Sequence, residues 1–137
     1  MRYNDLLENF KKALENLRYA VENAEDDLHI DGAIKRFELC YGLASKTIKA
    51  YHLADLEIID KNPRDCFKYA NQNELINDYT VWMDMIEDRN ILVHTYTFEE
   101  SREIFEHLEE KYLKAFEFLY EKITECKEGD EQLPLDL

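Results

Sequence analysis

The sequence contains little glycine, proline or cysteine, and each shortage narrows the choice of protein class. Three glycines and two prolines among 137 residues leave few places for tight turns, which favours long helices. Three widely spaced cysteines (Cys40, Cys66 and Cys126) form neither the CxxC pairs of a zinc motif nor an even disulfide framework. We therefore expect three reduced thiols, no metal site and no cofactor.

Long hydrophobic runs are also missing. No apolar stretch approaches the roughly 20 residues that a membrane-spanning helix needs. The N-terminal segment MRYNDLLENFKK lacks the apolar core of a signal peptide. We therefore expect a cytoplasmic protein that has no contact with a membrane.

Basic residues are scarce relative to acidic ones, and they are unevenly distributed. Seventeen Lys and Arg against 31 Asp and Glu give a formal net charge of -14, which argues against broad, nonspecific nucleic-acid binding. The segment 31–68, however, holds seven basic and six acidic residues, so the rest of the chain carries about -15. This near-neutral segment is where a polyanion would bind, unless the acidity serves only solubility.

Apolar residues recur at steps of three and four along most of the chain, which is the spacing of amphipathic helices. No alternating strand pattern and no internal repeat interrupts them. The five predicted helices span about 3–25, 31–53 (capped by Asp31), 62–70, 75 to between 94 and 96, and 97–126. We therefore predict an all-α, up-and-down bundle of four to five helices in one domain, 1–127, followed by a flexible acidic tail, 128–137.

The residues that typically begin a helix are clearest at the third and the last of these predicted helices. Asn62 can cap a helix that has Pro63 at its first position. Thr97, with Glu100 three residues later, forms a capping box. Because the box requires the preceding helix to end before Thr97, the stretch RNILVHTY (89–96) lies at a junction between two helices.

This junction holds the candidate functional residues. On a continuous helix Asn90 and His94 would share a face, whereas Arg89 and His94 converge only if the helix ends or if both reach sideways into a groove. A histidine can move a proton to or from a ribose hydroxyl, an arginine can hold a phosphate, and an asparagine can orient either group. Together these residue types suit phosphodiester cleavage without a metal.

A structural role for the same side chains, in capping and ion pairing, is an open alternative. The spacing R-x4-H has little weight by itself, because Arg102 and His107 repeat it inside the last helix, where we expect a solvated face. Two other histidines stand alone near helix ends and are expected to face solvent or to cap: His29 and His52.

The stretch RNILVHTY resembles the R-N-x3-H-x-Y signature of HEPN domains. RFELCYGLASKTIKAYHL (36–53) is similar to the second-helix pattern of that family, and NPRDCFKYANQNELINDYTVWMDMIEDRN (62–90) to its Pro-Arg turn, short helix and Trp-bearing helix. The resemblance covers about residues 3–125. It is nearest to the branch called nucleotidyltransferase substrate-binding proteins, which overlaps the HEPN toxins of two-gene toxin–antitoxin modules.

That resemblance implies a helical bundle, usually a homodimer, whose partner is a small separate (minimal) nucleotidyltransferase. In toxin members the arginine and histidine are the ribonuclease residues, and the partner silences the toxin by attaching AMP to the tyrosine. Carried over, Arg89 and His94 are catalytic with Asn90 as their polar neighbour, and Tyr96 is the modification site. Three functions stay open: a ribonuclease toxin, a non-catalytic subunit that presents RNA or a nucleotide to the nucleotidyltransferase, and a helical scaffold.

Overall fold

Helices account for every regular element in the computed structural model, which describes residues 3–129 and the side chains of 3–126. The last two helical segments, Phe98–His107 and Leu113–Gly129, continue into one another through a wide π turn, Leu108–Tyr112. They therefore form a single long helix, and the described residues hold five helices. The prediction of an all-α bundle is therefore confirmed. The elements are α1 (Tyr3–Glu22), α2 (Asp27–Tyr51), α3 (Pro63–Gln72), α4 (Tyr79–Leu92), α5 (Phe98–His107) and α6 (Leu113–Gly129).

Aromatic rings from all parts of the bundle meet in its core. Phe116 of α6 contacts Phe10 of α1, Phe37 of α2 and Trp82 of α4, with ring centroids 6.4, 6.2 and 5.6 Å apart. Phe67 of α3 lies against Trp82 at 4.8 Å. Each ring is almost wholly buried, so the apolar stripes predicted from the sequence fix all the helices around one centre.

The second helix begins earlier than its sequence suggested. Its cap is Asp26, whose carboxylate accepts a hydrogen bond of 2.9 Å from the backbone N–H of His29. The prediction of Asp31 as the cap is wrong, because Asp26 already satisfies the first free N–H groups and Asp31 lies inside the helix. The predicted start at Asn62 is confirmed: its side chain accepts from Asp65 N–H at 2.9 Å.

The end of α2 contains a feature that the sequence did not predict. Beyond Tyr51 the helix widens into a π turn, His52–Leu56, which ends at Glu57 in the left-handed region with φ 57°. This turn carries the His52 ring into the protein. His52 was expected to face solvent or to cap a helix. It does occupy the C-cap position of α2, but its side chain is 0% exposed and its Nδ1 lies 2.6 Å from Asp60 Oδ2, so it does not face solvent.

The start of the last helix is as predicted. The Thr97 hydroxyl accepts from Glu100 N–H at 3.1 Å, and the Glu100 carboxylate accepts from Thr97 N–H at 2.9 Å, which completes the capping box. The helix runs to Gly129, past the predicted end at Cys126. The predicted tail, 128–137, lies for the most part outside the described residues. No helix in the range 3–129 is long and apolar enough to cross a membrane.

Candidate functional site

The candidate residues flank the point where α4 ends. The helix stops at Leu92, slightly earlier than predicted, and His94 N–H closes a final turn onto the Ile91 carbonyl at 3.2 Å. Arg89 and Asn90 therefore lie in the last helical turn, whereas His94 lies in the connection that leads to Thr97. The predicted helix break within this stretch is present, and because of it Asn90 and His94 do not share a helical face.

Three polar side chains at this junction are free to bind something else. Arg89, Asn90 and His94 are all exposed, and among the described residues none of their side chains forms a hydrogen bond or an ion pair. A structural role as capping or ion-pair groups requires such partners. The exposed Arg89 is also well placed in the last turn of α4, where a positive charge is favoured by the helix dipole.

Arg89 lies beside α2 as well as on α4. Burial raises the pKa of the Tyr41 hydroxyl on α2, and the nearby Arg89 guanidinium opposes this rise. Arg89 of α4 therefore lies close enough to Tyr41 of α2 for its charge to act on that hydroxyl, although the Arg89 side chain remains exposed.

Tyr96 occupies a position between solvent and core. Its side chain is partly buried and packs against the hydrophobic core, while its neighbours Val93 and Phe98 are 49% and 41% exposed. The guanidinium of Arg102 lies over the Phe98 ring, 4.6 Å from its centroid. The tyrosine ring is therefore held by packing, and exposed apolar side chains lie on both sides of it in the sequence.

The residue before Arg89 fixes the end of α4 to the last helix. Asp88 is buried, and its Oδ2 accepts hydrogen bonds from the Tyr112 hydroxyl at 2.5 Å and from His107 Nδ1 at 2.7 Å. Since a carboxylate only accepts, the hydrogen bond assigns the His107 proton to Nδ1. Two charge-assisted hydrogen bonds thus hold the backbone on which Arg89 stands.

One helical turn earlier, a second contact joins the same elements. Asp84 of α4 forms an ion pair of 2.7 Å with Lys111, which belongs to the π turn of the last helix. Wide turns of this kind occur frequently at functional sites, because the additional residue redirects the side chains next to it. Here the π turn supplies both Lys111 and Tyr112 to α4.

The second R-x4-H pair differs from the first. Arg102 is exposed, as expected, and pairs with Asp27 at 2.9 Å. His107 is half-buried and bonded to Asp88, so the expectation of a solvated face is wrong for this residue. Both members of this pair have protein partners, whereas Arg89 and His94 have none among residues 3–126.

The basic residues of the segment 31–68 all lie at the surface, while the side chain of one of its six acidic residues, Asp60, is 0% exposed. The exposed charge of α2, α3 and their connection is therefore more positive than the sequence count indicates. The exposed cations are Lys35, Arg36, Lys46, Lys49, Lys61, Arg64 and Lys68.

Sequence reasoning missed two groups of residues. The first is Asp88. One feature of the sequence could have revealed its role: it is an acidic residue on an otherwise apolar face of α4, directly before Arg89. A second group consists of His52, Asp60 and Cys66, whose potential ligand atoms all lie within 4.8 Å of one another. No known metal-binding spacing connects these three residues, so nothing in the sequence was a reason to group them.

Comparison with known protein families identifies the family of this chain. A sequence model of the family described as "Nucleotidyltransferase substrate binding protein like" matches residues 5–125. The chain belongs to this family. The matched range covers all of α2 to α5 and most of α1 and α6, so the junction at 89–96 is a part of the family domain. No curated protein matches the sequence significantly.

Solved structures share the fold of this member of the family. HI0074 from Haemophilus influenzae, reported to reveal the fold of a substrate binding domain of a nucleotidyltransferase, is 25% identical, with a TM-score of 0.75 over 86% of this chain and 98% of its own. The protein ttk003001694 from Thermus thermophilus is 25% identical, with a TM-score of 0.70 over 85% and 97%.

A third structure shares the fold at lower sequence identity. It is a tri-AMPylated HEPN toxin from Shewanella oneidensis in complex with the MNT antitoxin, 21% identical, with a TM-score of 0.72 over 90% of this chain and 96% of the toxin.

Proposed function

We propose that this chain is a HEPN-type subunit paired with a separate minimal nucleotidyltransferase, and that it is a metal-independent ribonuclease neutralised by AMPylation of Tyr96. The observation that carries the proposal is the arrangement at the end of α4. Arg89, Asn90 and His94 are exposed and have no partner among the described residues. The adjacent Asp88 is buried and bonded, so the free groups stand on a fixed support.

The proposed reaction uses only these side chains. The ribose 2′ oxygen attacks the adjacent phosphorus, and the bond from phosphorus to the 5′ oxygen of the next nucleotide breaks. His94 of one copy takes the proton of the 2′ hydroxyl, and His94 of a second copy gives a proton to the leaving 5′ oxygen. Arg89 binds the phosphate oxygens and stabilises the additional charge of the transition state, while Asn90 orients its neighbours.

The position of Tyr96 supports the regulatory part of the proposal. In AMPylation the tyrosine hydroxyl attacks the α-phosphorus of ATP, and pyrophosphate leaves. The product places a phosphate two residues from His94 in the segment that Arg89 borders, where it competes with the RNA phosphate for that arginine. The Shewanella toxin of the same fold is AMPylated in its complex with MNT, which makes a nucleotidyltransferase the expected partner here.

The second candidate is a non-catalytic subunit that presents a substrate to the nucleotidyltransferase. Two observations favour it. The formal net charge of -14 repels RNA, and HI0074, which is 25% identical, is described as a substrate binding domain. Under this alternative Arg89 and His94 would bind a phosphate or nucleotide without cleaving it.

Cleavage of single-stranded RNA by the purified, unmodified protein distinguishes the two candidates. We expect cleavage in EDTA, and a loss of about 10²–10⁴ in rate for His94→Ala, the usual cost of removing an acid–base group. His29→Ala is the matched control, since His29 is also exposed but lies at the start of α2. It should cleave at the rate of the unsubstituted protein.

The ribonuclease proposal fails if the unmodified protein leaves RNA intact, or if His94→Ala cleaves as fast as His29→Ala. The unfolding temperature, measured in the same EDTA buffer, separates a loss of chemistry from a loss of folded protein. RNA binding without cleavage would favour the second candidate.

A further inference from the structure

Three side chains capable of binding a metal meet beneath the surface between α2 and α3. His52 comes from the π turn that ends α2, Asp60 from the connection, and Cys66 from the first turns of α3. One potential ligand atom of each lies within 4.8 Å of the other two. The side chains of His52 and Asp60 are 0% exposed, as is Cys66.

The hydrogen bonding of this cluster is incomplete. His52 Nδ1 and Asp60 Oδ2 are 2.6 Å apart, but the other polar atoms of both side chains, His52 Nε2 and Asp60 Oδ1, are buried without a hydrogen-bond partner. A buried polar atom without a partner typically costs about 1–3 kcal/mol. Asp60 Oδ1, which the contact with His52 leaves unpartnered, indicates a site that can accept an additional electropositive partner.

The donor set identifies the chemical class of that partner. An imidazole nitrogen, a carboxylate oxygen and a thiolate sulfur together suit Zn²⁺, whereas Mg²⁺ and Ca²⁺ prefer sites made only of oxygen. Charge gives the same answer, because one thiolate and one carboxylate neutralise a divalent cation. A neutral site avoids the large cost of an uncompensated buried charge.

We propose that His52, Asp60 and Cys66 bind one Zn²⁺ ion, which fastens the connection between α2 and α3. Tetrahedral ligation places nitrogen and oxygen ligands about 3.3 Å apart. The His52–Asp60 contact therefore opens slightly and Cys66 moves inward, through rotations of the side chains. The ion stabilises a connection that begins at Glu57, whose backbone is in the left-handed region at φ 57°.

A role for Cys66 as a reactive thiol explains the same cluster less well than metal binding does. Burial raises the pKa of the Cys66 thiol to about 12, and the Asp60 carboxylate contributes to the rise, while Lys49 opposes it. A thiol that is wholly buried in apolar surroundings is out of contact with solvent and is a weak nucleophile. A bound cation, in contrast, displaces the thiol proton directly.

Cobalt substitution tests the site without any assay of RNA cleavage. The full chain, freed of metal by chelator, is titrated with Co²⁺ and followed by the absorption of tetrahedral, thiolate-bound cobalt; Zn²⁺ is then added. We expect one equivalent of Co²⁺ to bind and Zn²⁺ to displace it. The same titration of Cys66→Ser should show no thiolate band.

Cys40→Ser is the matched control, because Cys40 is another fully buried thiol, on α2. It should keep the cobalt spectrum, and Zn²⁺ should raise the unfolding temperature of this variant and of the unsubstituted protein, but not of Cys66→Ser. The proposal is overturned if the unsubstituted protein shows no thiolate–cobalt band, whatever the folding of the variants. An undiminished band in folded Cys66→Ser overturns it as well.

Discussion

At the scale of single residues, the key contrast is between Asp88 and its neighbour Arg89. They are adjacent in α4, yet one side chain is buried with two partners and the other is exposed with none among the described residues. Successive residues of a helix point about 100° apart, so one can anchor the helix while the next is presented to solvent. The anchor makes the position of Arg89 depend on Tyr112 and His107, far along the chain.

Removal of one anchor bond should lower stability measurably. Tyr112→Phe keeps the buried ring but removes the hydroxyl that donates to Asp88, and we expect the free energy of unfolding in urea to fall by about 2 kcal/mol, since the bond is made to a charged acceptor. Tyr120→Phe, a partly buried tyrosine of the same helix, is the control. Equal effects of the two substitutions would show that the Asp88 bond does not stabilise the fold.

At the scale of elements, the junction depends on how α4 ends and α5 begins. The capping box at Thr97 forms two hydrogen bonds between side chain and backbone within the first turn of α5. Only residues 93–96 lie between the end of α4 and this cap. This short connection limits the positions that His94 and Tyr96 can adopt.

The cap should therefore contribute to stability in a way that a neighbouring threonine does not. We expect Thr97→Ala to lower the free energy of unfolding by about 1 kcal/mol, because the Glu100 N–H loses its acceptor. Thr95 is exposed in the connection and provides the control substitution Thr95→Ala. Urea denaturation of both variants measures the difference. If Thr97→Ala lowers the free energy of unfolding no more than Thr95→Ala does, the cap does not stabilise the fold.

The elements also show what could be predicted from the sequence. The apolar spacing and two of the caps predicted the five helices and the starts of the first, third and last, because these signals act within a few residues. The predicted start of the fourth helix at Leu75 is wrong: α4 begins at Tyr79 and is capped by Asp78. The π turns could not be predicted this way. Ile104, Leu108, Tyr112 and Ala115 are all buried as expected, and their steps of four, four and three fit a regular helix almost as well as a widened one.

Contacts between distant residues explain the remaining errors. His52 meets Asp60 eight residues later, across a connection without regular structure, and Cys66 joins them from the next helix. His107 meets Asp88 from another helix, 19 residues away. No periodic pattern encodes such contacts. His52 was therefore expected to face solvent or to cap, and His107 to lie on a solvated face, whereas each is bonded to a carboxylate.

At the scale of the whole molecule, a single chain has too few groups for the proposed chemistry. Each chain contributes one arginine and one unengaged histidine at the end of α4, while cleavage needs both a base and an acid at one phosphate. Two copies facing one cleft would supply them.

We therefore predict a homodimer. Light scattering on the purified protein at micromolar concentration should give twice the mass of one chain. The variant Arg89→Ala should give the same mass, because we do not expect this exposed side chain of the candidate site to be required for association. A particle with the mass of one chain would contradict the two-copy cleft.

The claim that connects all three scales is that a partner nucleotidyltransferase modifies Tyr96 and thereby blocks the cleft. The direct measurement is the intact mass of the protein after incubation with that partner and ATP. We predict a gain of one or more AMP units in the unsubstituted protein and none in Tyr96→Phe, which keeps the ring but lacks the acceptor oxygen. Tyr19→Phe, whose tyrosine is 71% exposed on α1, should gain AMP like the unsubstituted protein. Equal labelling of Tyr96→Phe and Tyr19→Phe, or no labelling by an active partner, would contradict the account.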